Sequence, residues 1–309
     1  MTIFTSTLNQ LAFLFSLILI GWFLAKKKHI PENSAMVLSR LENMLFIPGL
    51  VMGTFIENFT VERISSAWKI LIVSSVMILI IIPIVILISK LLAKDKYTQN
   101  IFTYGLAFAN FGFMGNAVVN ALFPDIFFEY LIFTLPLWVM IYLWGVPSLL
   151  ISDADQKQSI SQKLKNFVNP MFVAMFIGMI IGLSGIKLPD WLTSLVSVSG
   201  SCMSPVAMLL TGITVSGINL KKTFTDVSIY AVTFVRLILL PLVFVGFAKF
   251  IPFEETIYIC ALCSLAMPLG LNTIVIPSAY GKDTSKAAGM AVISHLLSCI
   301  TIPLIFTLI

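Results

Sequence analysis

The sequence predicts an all-α integral membrane protein of ten transmembrane helices, built as two inverted five-helix repeats. Three observations predict it. Hydrophobic residues make up 59% of the 309 residues and charged residues only 11%, with a mean hydropathy of +1.02. A soluble domain is about 25% charged, so this chain cannot clothe a water-facing surface. The second observation is a series of charge-free stretches of spanning length. The third is that the basic residues between them fall mostly on one side.

A helix needs about 20 apolar residues to cross roughly 30 Å of hydrocarbon. Eight stretches without Asp, Glu, Lys or Arg are at least 20 residues long: 1–25, 70–89, 97–124, 130–152, 166–186, 191–220, 256–281 and 287–309. Two further segments complete the ten. Residues 43–56 lie between Glu42 and Glu57, and 227–248 are interrupted only by Arg236. The first stretch is followed by Lys26, Lys27 and Lys28 and preceded by nothing basic. That is the reverse of a cleaved signal peptide, so the helix is expected to be retained with its N-terminus outside. Alternating the connections then places 14 Lys and Arg on the inner side and 4 on the outer, with Arg236 inside a span. This bias predicts a multi-pass protein of the cell membrane with both termini outside.

The same clusters account for the net charge of +5. With no arginine-rich arm or RNA-binding aromatic motif, the lipid bilayer is the expected partner and nucleic acid is not. Cys260 and Cys263 form a C-x-x-C inside an apolar run, which reads as buried thiols rather than a metal or redox site.

The longest polar connection, residues 152–165, divides the chain into 1–151 and 166–309, with five spans in each part. An odd number of spans per repeat forces the two copies into opposite orientations. Helix breakers recur at one offset: Pro48 lies 157 residues before Pro205, and Asn116 lies 156 before Asn272. Proline removes an N–H and clashes with the preceding turn. Backbone freed in this way is tolerated within hydrocarbon only where protein or a cavity satisfies it. Paired interruptions in corresponding spans therefore point to a transporter binding site.

These residues resemble the auxin efflux carrier family of transporters, which includes bacterial organic-acid permeases and plant PIN carriers within the bile-acid/arsenite transporter superfamily. The resemblance rests on Pro268, Gly270, Asn272, Tyr280 and Gly281 in the ninth span and beyond, and on Asn110, Gly112 and Gly115 in the fourth. Pro48 with Pro205, and Arg236 with Pro241 in RLILLP, extend it. It covers essentially the whole chain. The fourth span departs from the family pattern at Ala109, Asn116 and Ala117, so Gly and Asn rather than proline are expected to open it. The resemblance implies a scaffold domain and a core domain in which broken helices four and nine cross near the midplane.

The expected substrate site is Asn110, Gly112, Gly115 and Asn116 on one side, and Pro268, Gly270, Asn272 and Thr273 on the other. Inward-pointing helix N-termini present unpaired N–H groups that favour anions, and an Asn amide adds donors without permanent charge. Arg236 lies about ten residues into its span, ~15 Å deep. It serves either charge coupling or the tying of broken-helix carbonyls. His295 is a candidate proton relay, against a plain structural role. Glu42, Glu57 and Glu129 are read as near span ends, leaving no deep carboxylate; this disfavours a cation antiporter. H-E-x-x-H, paired-Asp and G-x-S-x-G motifs are absent, as is a repeated charge ring, which argues against an enzyme and a channel.

The reading is a secondary transporter of small organic anions, mono- or dicarboxylates such as malate or malonate, working by alternating access. It has no cofactor and room for a homodimer; membrane potential, a proton and sodium all stay open as its driving force. A sodium-coupled symporter of bile-acid type and a non-transporting membrane receptor of the same fold stay open beside it.

Overall fold

The computed structural model describes residues 3–151, 170–217, 225–279 and 282–309. The connection 152–165 and the pair Tyr280 and Gly281 lie outside the described residues. Among those described, the regular structure is helical, joined by short turns, with one isolated antiparallel bridge, Ala109 to Leu269.

Helix α1 spans Ile3–Lys26, and α2 spans Ser34–Leu41. A π-helical turn, Glu42–Phe46, carries the chain from α2 into α3, Ile47–Asn58, without a break. Thr60 caps α4, Val61–Leu92, by accepting from the Arg63 N–H, and Asp95 caps α5, Lys96–Ala107, through the Thr98 N–H at 2.8 Å. After an interruption come a π segment, Phe111–Gly115, and α6, Asn116–Leu122. Helix α7, Phe127–Met140, continues as a π segment over Ile141–Leu150. The second part holds α8, Pro170–Ser184, and α9, Asp190–Ser216. It continues with α10, Val227–Phe234, a π turn, Val235–Leu239, and α11, Leu240–Ala248. It ends with α12, Glu255–Ala266, α13, Asn272–Ala279, and α14, Ser285–Phe306.

Among the described residues, six helical segments are long and apolar enough to cross a membrane: Ser34–Asn58, Ala67–Leu92, Pro124–Leu150, Asp190–Ser216, Val227–Ala248 and Ser285–Phe306. Four shorter apolar helices accompany them: Ala12–Lys26, Phe111–Leu122, Pro170–Ser184 and Glu255–Ala266. Large apolar side chains point outward along them, Leu79 at 61%, Ile180 at 68% and Ile300 at 63% exposure. In water this would be a liability, whereas against lipid it is the expected face.

Packing divides the helices. Helix α1 lies along α9, and α3 against α8 and α9. Helix α4 packs on α5 and α7, and α14 on α10 and α12. Gly21 of α1 abuts the Leu209 carbonyl and Gly212 of α9 abuts the Ile18 carbonyl, so neither position has room for a Cβ. Small residues let these two backbones meet directly. At the N-terminal ends of α10 and α14, Asp226 pairs with Lys286. Burial raises the Asp226 carboxyl, but hydrogen bonds from Lys286 and Ser228 outweigh it and hold the group below its ordinary value.

Three sequence expectations are corrected. The second span starts at Ser34 rather than residue 43, because the turn carrying Glu42 is helical and runs straight into α3; Glu42 is therefore interior and 0% exposed, not terminal. Pro48 does not break its helix: the helix runs on from Ser34 to Asn58, with the wider π turn Glu42–Phe46 just before the proline. Pro205 lies inside α9, which runs unbroken from Asp190 to Ser216.

Candidate functional site

Helix α5 stops at Ala107 because Phe108 turns extended (φ −121°, ψ 90°), and α12 stops at Ala266 because Met267 does the same (φ −69°, ψ 146°). The two interruptions lie side by side. The Asn110 N–H donates to the Pro268 carbonyl at 2.7 Å, beside the Ala109–Leu269 bridge, and the Leu269 N–H donates to Ser294 Oγ at 3.1 Å. Backbone released from one helix is thus satisfied by the other, as burial requires.

The carbonyl ends are held by Arg236, 2% exposed. Its guanidinium donates to Ser264 O at 2.7 Å, Leu106 O at 2.8 Å and Met267 O at 3.1 Å. One planar cation therefore ties the C-terminal ends of α5 and α12, where the helix dipoles are negative.

Asn110 heads the π segment, its Oδ1 accepting weakly from the Met114 N–H at 3.5 Å. Its Nδ2 is 3.0 Å from His295 Nε2, while His295 Nδ1 is 2.7 Å from the Ala291 carbonyl. That carbonyl can only accept, so Nδ1 carries the ring proton and Nε2 accepts from the Asn110 amide. His295 thus orients Asn110. Across the interruption, Asn272 Nδ2 donates to the Tyr104 hydroxyl at 3.3 Å, and the Tyr130 hydroxyl donates to the Phe111 carbonyl at 3.2 Å.

The glycines let aromatic groups close on the backbone. A Cβ on Gly112 would lie 2.7 Å from Trp138, one on Gly270 3.0 Å from the Phe108 carbonyl, and Gly115 is covered by the Tyr130 hydroxyl. A pocket of about 20 Å³ lies between Tyr104, Asn110, Gly112, Gly270 and Asn272. Next to it, a cavity of about 140 Å³ is bordered by Gly112, Asn272, Trp138 and Tyr142, and by Ser39 and Asn43 of the second span. No charged side chain lines either space among the described residues.

Of the predicted residues, Asn110, Gly112, Gly270 and Asn272 surround this space. Pro268 contributes its carbonyl to the bridge rather than a surface. Thr273 is 0% exposed with its hydroxyl donated to the Gly270 carbonyl at 2.8 Å, so it faces its own backbone. Gly115 and Asn116 are buried behind the interruption, and Asn116 borders neither space. Pro48 and Pro205 lie elsewhere. Sequence reasoning missed Tyr104, Trp138, Tyr142, Ser39, Asn43 and Ser294. Only Ser294, adjacent to His295, carried a signal; the others are brought in by packing.

Interrupted helices meeting at their breaks are a recurrent feature of membrane transporters. The family comparison agrees. A family model described as membrane transport protein matches the chain twice, over residues 6–163 and 153–306. The chain belongs to this family, which is of the auxin efflux carrier type. Curated proteins give no match.

Proposed function

We propose that this chain is a secondary transporter of small organic anions, mono- or dicarboxylates such as malate or malonate, working by alternating access. The observation that carries the reading is the paired interruption itself, where Asn110 and Asn272 flank an uncharged space at the start of two helical segments. The first turn of a helix lacks intrahelical acceptors for its N–H groups, so Phe111, Gly112 and the turn at Asn272 present donors and a positive dipole end. Neutral donors suit an anion that must bind and then leave. The small cavity suits a small acid.

The ten-span arrangement supports the same reading. In it, residues 1–151 and 166–309 are inverted repeats joined by 152–165, with the fourth and ninth spans crossing at their breaks. Helices α1, α2–α3, α8 and α9 form the scaffold, against which the rest moves. With both termini outside, the 140 Å³ cavity bordered by Ser39 lies on the inner side. A cavity of about 540 Å³ bordered by Glu57, Asn120 and Lys187 lies on the outer side and stops short of the breaks. Neither cofactor nor metal enters the reading.

Uptake of radiolabelled malate and malonate into proteoliposomes tests it. Wild type is expected to accumulate at least one of them, and Asn272→Ala to lose uptake while folding normally. Uptake that stops when sodium is replaced would make the protein a sodium symporter. Binding without counterflow would make it a receptor.

A further inference from the structure

One titratable group stands apart from the site already described. Glu42 is 0% exposed, and neither carboxyl oxygen has a hydrogen-bond partner. It opens the π turn Glu42–Phe46, whose neighbours face the other way: Leu41 is 40%, Met44 68% and Leu45 44% exposed. The acid points in while apolar residues point to lipid, which is the arrangement of a group kept for function. Single π turns inside helices are frequent at functional sites.

Among the described residues, the elements packed on this turn bring it no counter-charge. They are α9, α8, α2 and α3. Helix α9 carries Asp190 at its far end and Cys202; α8 carries no titratable residue; α2 carries Arg40, which is exposed; α3 carries Glu57, exposed at its other end. An ionised carboxylate here would be an isolated charge in a dry environment, which proteins avoid by protonation.

The location connects Glu42 to transport. Asn43, the next residue, and Ser39, one turn back, border the 140 Å³ cavity that reaches Gly112 and Asn272. The same helical turn therefore has one face on the cavity and Glu42 sealed behind it.

We propose that Glu42 is the proton-coupling group of this transporter. It holds a proton while the second span packs on α9, and releases it to water when movement of that span opens its surroundings to the cavity. The carboxylate takes one proton from water on one side of the membrane and returns it on the other, so a carboxylate substrate moves with a compensating positive charge. This rests on the proposed transport of small carboxylates, and the two are tested separately.

In infrared spectra of the purified full-length protein at neutral pH, wild type should show a protonated carboxyl band that Glu42→Gln removes. In proteoliposomes carrying an internal pH dye, wild-type malate or malonate uptake should respond to an imposed pH gradient and be accompanied by proton movement. Glu42→Gln should keep exchange of the same acid across the membrane and lose both the gradient response and the proton movement. Glu42→Leu, equally uncharged, provides the same comparison should the amide fail to fold. Proton movement that persists in both variants, or uptake that follows sodium instead, overturns the proposal. If wild type takes up neither acid, the proposed substrate class fails; a carboxyl band that survives Glu42→Gln then overturns the assignment of the proton, and its loss supports it.

Discussion

Helices α3 and α9 carry Pro48 and Pro205 and remain helical through them, whereas α5 and α12 end in interruptions at residues 108–110 and 267–271. The first of these interruptions contains no proline. What separates the two pairs is the supply of partners. At the breaks, Arg236 takes three carbonyls, Ser294 takes an N–H, and the two backbones bond to each other. At Pro48 the helix continues from Ser34 to Asn58, the π turn Glu42–Phe46 lying just before the proline. In α9 the backbone passes Pro205 with the helix intact. A helix in hydrocarbon opens where its freed groups are received, not merely where a proline weakens it.

The sharpest way to break this comparison is to remove the receiver. Arg236→Met leaves three buried carbonyls without their donor, at about 1–3 kcal/mol for each group left unsatisfied. The expected result is a large loss of melting temperature in detergent, partly recovered by Arg236→Lys; an unchanged melting temperature would show that the clamp does not hold the breaks. Gly112→Ala comes next. It forces Trp138 away from the backbone and should cost about 1–3 kcal/mol along with most malate uptake. His295→Gln should lower uptake by loosening Asn110 while leaving the shape of the pH profile unchanged, since His295 is engaged at both ring nitrogens. A displaced profile would restore the proton relay. Smallest is Pro205→Ala, expected to leave uptake intact and stability within about 1 kcal/mol of wild type or above it. If uptake collapses, Pro205 opens its span after all.

How much of the molecule was legible depends on the range of each signal. Hydropathy and charge are local, so the all-helical, multi-span character was legible: among the described residues six helices are long and apolar enough to cross a membrane and four shorter apolar ones accompany them. The breaks near Asn110 and Asn272 were readable because Gly and Asn stand out in apolar text. Of the two roles weighed for Arg236, the hydrogen bonds show the tying of broken-helix carbonyls. Glu42 was misread because a charge-free window must end at a charge, even when the helix continues past it to Ser34. Tyr104, Trp138 and Asn43 carry no periodic mark; they matter because folding brings them against Asn272 and Gly112. Thr273 looked available by its neighbours, but a hydroxyl at the start of a helix finds a nearby backbone carbonyl first, here that of Gly270.

The most direct measurement is thermal stabilisation of the purified protein by malate and malonate, compared between wild type and Asn272→Ala. A stabilising shift in wild type that disappears in the variant is the result predicted by an anion held at the paired interruption. Equal shifts in both proteins, or none with either acid, would contradict it.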